Sequence, residues 1–158
     1  MIKHKKISSL ELTQIYLKRI NRLNNTVNAI VTLTDSVALA QASKADREIR
    51  EGRCRGLLHG IPYGIKDLAS YPIYPTTWGA MPLKNQIINK KAEVITKLEK
   101  TGAVMLAKLS TGSLARGDVW YGGKTLNPWD LSQGSSGSSA GSASATSAGL
   151  VGFAIGTE

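Results

Sequence analysis

Gln133-Gly-Ser-Ser-Gly-Ser-Ser-Ala-Gly-Ser-Ala143 is the stretch on which the reading of this chain turns. Serine and glycine alternate there with almost no bulk. Two readings compete. One is a flexible Gly/Ser linker. The other is a backbone-rich loop that holds catalytic hydroxyls against a buried lysine. The residues just after the stretch separate them. A linker leads into a new domain or a tail. Here Ser142 to Ser147 turns alanine-rich, and Gly149-Leu-Val-Gly-Phe-Ala-Ile-Gly156 then reads as a buried strand. Small residues running into an apolar strand predict a helix packed tightly on a sheet, and so favour a site over a linker.

Composition sets the outer bounds. A chain of 158 residues fits one domain and can bury a real core. Hydrophobic content of 42% with 20% charged residues places it among globular chains. No apolar run is long enough to span a bilayer, so no membrane partner is expected. The basic start, Met1-Ile-Lys-His-Lys-Lys6, is not followed by the apolar core of a signal peptide. The single cysteine, Cys54, excludes an internal disulfide and fits a reducing, cytoplasmic location. The formal charge of +9 raises the question of a nucleic-acid partner. The lysines are spread along the chain without interleaved aromatics, which reads as a solvated basic surface, and no nucleic-acid partner is expected.

Two helices are predicted to open the chain. Ser8-x-x-Glu11 has capping-box spacing. Leu12, Tyr16, Ile20 and Leu23 recur at helical spacing with Ile15 beside them, and Asn24-Asn25 is read as the stop. Ala29 to Leu33 is a short extended candidate. Asp35 or Ser36 then caps a second helix with Leu39, Ala42, Ala45 and Ile49 on one face, stopped by Gly52. This N-terminal layer, residues 1–56, carries no candidate chemistry.

The stretch 57–158 reads as the start of an α/β core. Leu57-Leu-His-Gly-Ile-Pro-Tyr-Gly-Ile-Lys-Asp67 is apolar and ends in a charged pair. A lysine at the end of a buried strand loses hydration, which disfavours its ammonium form and makes it a usable base. The opposing reading is a surface lysine paired with Asp67. His59, beside a glycine, reads as a turn residue; His4 is the other histidine. Thr76-Thr-Trp-Gly79 is a polar and aromatic loop. Glu93 to Lys100 reads as a helix with Val94, Ile95 and Leu98 facing inward, and Ala103 to Ala107 as a buried strand. Strand, helix, strand in that order predicts a parallel unit. A short helix is expected within Ser110 to Ala115. Helices are thus expected near 8–23, 36–51 and 91–101, and strands near 62–66, 103–107 and 150–155.

Two motif matches are set aside. Gly117-Asp-Val-Trp-Tyr-Gly-Gly-Lys-Thr125 is off by one from a phosphate-binding loop and is bulky at Trp120 and Tyr121. Gly137-Ser-Ser-Ala-Gly141 fits G-x-S-x-G around Ser139, but Asp130 to Ser135 before it does not read as the strand that a nucleophile elbow needs.

An ordered series remains: His59-Gly-Ile-Pro-Tyr-Gly-Ile-Lys-Asp67, Thr76-Thr77, Gly102-Ala-Val, Asn127-Pro-Trp, Gly137-Ser-Ser-Ala-Gly-Ser142 and Gly156-Thr-Glu158. Together these resemble the amidase signature family over nearly the whole chain. The resemblance implies an α/β fold, a mixed sheet flanked by helices, of which this chain is the incomplete N-terminal part. It implies a Ser-cisSer-Lys triad with Lys66 as the lysine and Ser138 as the bridging serine on a cis peptide. It reverses the surface reading of Lys66. It implies acyl transfer on a small-molecule amide with no metal or cofactor: neutral Lys66 takes a proton relayed through Ser138 from a nucleophilic serine. In the family that serine comes within a few residues after the Gly-Thr-Asp/Glu stretch, together with the oxyanion amides, so both are expected beyond Glu158. Ser136 stands where the family often has glycine. The polypeptide 1–158 is therefore expected to be inactive alone and to self-associate through the apolar strand near its end. Two other functions stay open: the glutaminase subunit of a tRNA-dependent amidotransferase, weakly favoured by the positive charge, and a non-enzymatic remnant.

Overall fold

The computed structural model describes Ile2 and residues 6–158; the basic start, apart from Ile2 and Lys6, and with it His4, lies outside the described residues. Helix α1, Ser9–Val27, begins at the expected capping box. Ser8 Oγ accepts the Glu11 amide at 3.0 Å, and the Glu11 carboxylate accepts the Ser8 amide at 2.8 Å. The helix runs past Asn24, contrary to expectation. Asn24 Oδ1 instead accepts the amides of Ala29 and Ile30, closing the exit from the helix, while Asn28 takes the left-handed turn. Thr13, Ile20 and Val27 form its buried stripe, whereas Ile15 is 53% exposed because it sits on the flank of that stripe.

The short extended candidate is strand β1, Ile30–Leu33. Helix α2, Asp35–Arg50, buries Ala38, Ala42 and Ala45, with the larger Leu39 and Ile49 only half-buried at the margin. Three alanines on one face let α2 lie close against its neighbours. Strand β2, Pro62–Lys66, is buried at every position. Helix α3, Glu93–Thr101, buries Ile95 and Leu98 and ends at left-handed Gly102. Val94, expected to face inward, is exposed. Strand β3, Val104–Leu109, is again wholly buried.

Helix α4, Ala140–Ser147, comes after the serine-rich stretch, and strand β4, Phe153–Ile155, after the helix. β4 is shorter than expected. The Leu150 amide donates to Ala145 O at 2.8 Å, so Leu150 and Val151 fill the core from the turn that caps α4.

The four strands form one sheet in the order β1-β3-β2-β4. β1 is antiparallel to β3, and β3–β2 and β2–β4 are parallel, so the sheet is mixed. β2-α3-β3 is the parallel unit read from the sequence. One face packs against α1, α2 and α4 through Ile20, Ala42, Leu106, Leu109 and Ala145. The other packs against α3 through Tyr63, Ile65, Ile95, Leu98 and Met105. β1 arises from the stretch read as an N-terminal helical layer and supplies one edge of the sheet; β4 is the other. Among the described residues no helix is long and apolar enough to cross a membrane.

The first discarded motif is a turn, and the second, Gly137–Gly141, is a bend that runs into the start of α4. Val119–Trp120 pairs with Gly123–Lys124 in a tight hairpin, with Trp120 buried. Asp130–Gly134 does form a strand, which the sequence reading missed. It pairs with Leu126–Asn127 in a separate two-stranded hairpin and is mostly exposed, so it is not the buried strand of a nucleophile elbow. The helix expected within Ser110 to Ala115 is a single 3-10 turn, Ser113–Ala115, with Leu114 in the left-handed region.

Candidate active site

Alternation along β2 aims its side chains. Tyr63 and Ile65 face α3, so Lys66 faces the side on which α4 begins. The serine-rich stretch reaches that side because its backbone packs directly on the sheet. The Gly141 amide donates to Ser110 O at 2.9 Å, and the Gly112 amide donates to Ser138 O at 3.2 Å. A Cβ on Gly141 would run into Ser110 N and Ala29 O, so only glycine fits this approach.

The Lys66 side chain is buried, with the residue 1% exposed. Its Nζ donates to Ser138 Oγ at 2.7 Å, to Ser139 Oγ at 3.0 Å and to Thr157 Oγ1 at 2.7 Å. Burial pushes the Lys66 ammonium below the ordinary lysine value, with Glu158 opposing the shift. The peptide bond Gly137–Ser138 is cis. Lys66 and Ser138, the two residues singled out in the sequence, are thus in direct contact across 71 intervening positions.

Asp67 is not the partner of Lys66. Its carboxylate lies 2.5 Å from Lys108 Nζ, an ion pair with both side chains fully buried. Asp67 also accepts the Thr77 amide at 3.0 Å and the Thr77 hydroxyl. Lys108 donates to Thr76 Oγ1 at 2.8 Å and to the Pro75 carbonyl. The polar loop Thr76-Thr77 is therefore buried around this pair.

Thr157 and Ser139 at Lys66, and Lys108 at Asp67, were not singled out in the sequence as parts of a site. The only signal for Thr157 was its place in the Gly156-Thr-Glu158 motif. Lys108 sits in an apolar run, and a lysine there was a visible anomaly. His59 is a turn residue as read: buried, with Nδ1 accepting the Arg55 amide at 3.1 Å. It lies beside the Glu48–Arg55 pair, remote from any contact with Lys66.

A buried lysine at a strand end is thus hydrogen-bonded to serines presented by a small-residue loop at the start of a helix. The Amidase family model matches residues 11–158, and the chain belongs to that family. Among its relatives, the A subunit of glutamyl-tRNA(Gln) amidotransferase from Methylobacillus flagellatus is 42% identical over 161 residues, covering 100% of this chain and 33% of that protein. The corresponding protein from Coxiella burnetii is 39% identical, covering 99% of this chain and 33% of its own length. The crystal structure of the peptide amidase from Stenotrophomonas maltophilia superposes with a TM-score of 0.90 at 38% identity, over 99% of this chain and 34% of that one. The chain thus spans about a third of the length of the curated relatives it matches.

Proposed function

We propose that this chain carries the base and the proton relay of an enzyme that hydrolyses amide bonds, with Lys66 as base and Ser138 as relay. One observation carries the reading: a buried lysine, with no carboxylate within ion-pair reach among the described residues, donates to Ser138 Oγ at 2.7 Å. A lysine so placed is pushed toward its neutral form, the form that can accept a proton. Ser138 passes it the proton of an attacking serine, the amide carbon becomes tetrahedral, and an amine or ammonia leaves. The reading assigns no nucleophile among residues 1–158. It takes 1–158 as one partial amidase domain, 1–56 an N-terminal helical layer and 57–158 the start of the α/β core, in a cytoplasmic protein acting on a small-molecule amide.

The similarity to amidotransferase A subunits supports a more specific second reading, in which glutamine is the amide and the ammonia serves a tRNA-dependent transfer. The peptide amidase at 38% identity supports the general one.

The experiment is a comparison of two polypeptides. One is residues 1–158. The other is the same residues continued by the segment that lies C-terminal to the matched region in the Methylobacillus relative. Ammonia release is measured from glutamine and from a panel of peptide and aryl amides. The longer protein is expected to turn over, and the shorter is not. In the longer protein, Lys66→Ala and Ser138→Ala each lower kcat by roughly a hundred- to ten-thousand-fold, the usual weight of positioned acid–base groups. Turnover by residues 1–158 that is abolished by Lys66→Ala would move the nucleophile into this chain.

A further inference from the structure

Ser139 occupies the N-cap position of α4, where a serine ordinarily accepts an amide from the first turn. It caps nothing. Its hydroxyl is turned instead to the other end of the α4–β4 unit. The Thr157 amide donates to Ser139 Oγ at 3.0 Å, and Ser139 Oγ lies 3.0 Å from Thr157 O, to which its hydroxyl donates. Lys66 Nζ is its third partner. One proton donated and two accepted fill the capacity of a hydroxyl. Ser139 therefore has no proton to give to Lys66.

Ser138 and Thr157 differ. Neither hydroxyl has a hydrogen-bond partner other than Lys66 among the described residues. An ammonium presents three donors, which the three hydroxyls match. A neutral amine has two donors and one lone pair, and needs one hydroxyl to turn and donate to it. Only Ser138 and Thr157 are free to do so.

Local geometry explains how Thr157 comes to be there. Ser139 and Ser142 are three apart on α4 and share a face. Ile155 and Thr157 are two apart on extended chain and also share a face. Ser142 Oγ donates to Ile155 O at 3.0 Å, one step before the Ser139–Thr157 pair. Gly156 lies between, and a Cβ there would sit 2.8 Å from Ser139 Oγ. Its absence lets the two segments close.

We infer that Ser139 is a positioning residue: its two-way hydrogen bond to the Thr157 backbone clamps the Gly156–Glu158 segment onto α4 and so holds the Thr157 hydroxyl against Lys66 as a second partner for the neutral amine. This rests on Lys66 as the base, but its test does not use turnover.

Thr157 is exposed, and among the described residues its amide has no partner but Ser139 Oγ. Amide exchange by NMR therefore reads the clamp directly. In the unmodified chain the Thr157 amide is expected to be protected. Ser139→Ala should speed its exchange at least roughly tenfold while leaving the amides of β2 and β3 unchanged, a local opening rather than a global one. Ser139→Thr, which keeps the hydroxyl, should restore protection. The second readout is the titration of the Lys66 side chain, monitored at its Cε. Thr157→Val should shift that titration in the unmodified chain and have no further effect once Ser139 is alanine, because the hydroxyl has already left. A Thr157 amide that exchanges at its unprotected rate in the unmodified chain overturns the clamp, and needs no variant to fold. So does an additive effect of the two substitutions on Lys66. Loss of amide turnover on Ser138→Ala, tested separately, bears on the catalytic reading alone.

Discussion

Lys66 and Asp67 are neighbours in the chain and sit on opposite faces of the sheet, each matched to a different set of groups. Lys66 reaches three hydroxyls, and Asp67 pairs with Lys108 at 2.5 Å. The alternation of an extended strand separates two charges that would otherwise neutralise each other. Among the described residues Lys66 is left buried without a counter-ion in ion-pair contact, and burial is the condition that lowers its proton affinity.

That condition has a pH signature in stability. Burial lowers the folded pKa of Lys66 below the usual 10.5. Between the two values the unfolded chain holds more protons at this side chain than the folded one, so the Lys66 contribution to stability rises with pH across that window. Below the folded value both states are protonated, and the contribution is flat at its lowest. Urea unfolding of the chain and of Lys66→Met from pH 7 to 10 should show the difference between them growing in favour of the unsubstituted chain. A difference that stays constant would mean the Lys66 pKa is not lowered by folding.

Catalysis should track the same proton. If Lys66 acts as the base, kcat/KM of the longer protein rises with pH, with the midpoint of the ascending limb below the ordinary lysine value. A pH–rate profile with no such ascending limb would remove Lys66 from the role of base.

Lys108→Met should destabilise the fold by about 3–5 kcal/mol, the range for removing one partner of a buried ion pair and leaving the other uncompensated. Lys108→Met combined with Asp67→Asn should recover part of that loss. Urea denaturation of the three proteins checks this. Equal stability of Lys108→Met and the unsubstituted chain would show that Asp67 is satisfied by Thr77 alone.

Gly141→Ala should cost about 1–3 kcal/mol, the usual range for overpacking, because the added carbon meets the backbone of Ser110 and Ala29 on the sheet side. Backbone cannot rotate away as a side chain can. A thermal midpoint unchanged by this substitution would contradict the close seating of α4.

Ser136 holds a φ of 62°, in the left-handed region that favours glycine. Ser136→Gly should be neutral or stabilising by up to about 1 kcal/mol, the left-handed penalty removed less the entropy glycine adds to the unfolded chain. Loss of stability on this substitution would show that the Ser136 side chain contributes something beyond its backbone.

Among the described residues β4 has a neighbour on one side only, and its residues are half-buried. If this edge drives self-association, sedimentation of residues 1–158 should show concentration-dependent oligomers that the longer protein lacks. A monomer at all concentrations would remove that expectation.

The sequence alone carried the local elements. The Ser8–Glu11 cap, the alanine face of α2, the β2-α3-β3 unit and the small-residue helix α4 each arise from near-neighbour chemistry, which a few consecutive residues specify. Its errors were local too: Asn24 read as a stop where its side chain closes the turn beyond it, and Leu150–Val151 read as strand where they fill the core from a turn. Lys66 and Ser138 were named through the order of motifs, since 71 intervening residues set no distance between them. Tertiary structure alone decided the partners. It gave Asp67 to Lys108 instead of Lys66, and drew Ser139 away from its helix to Thr157. Such pairings depend on which faces the strands turn to each other and on how closely glycine lets backbones approach, and neither is written in the residues that make the contact.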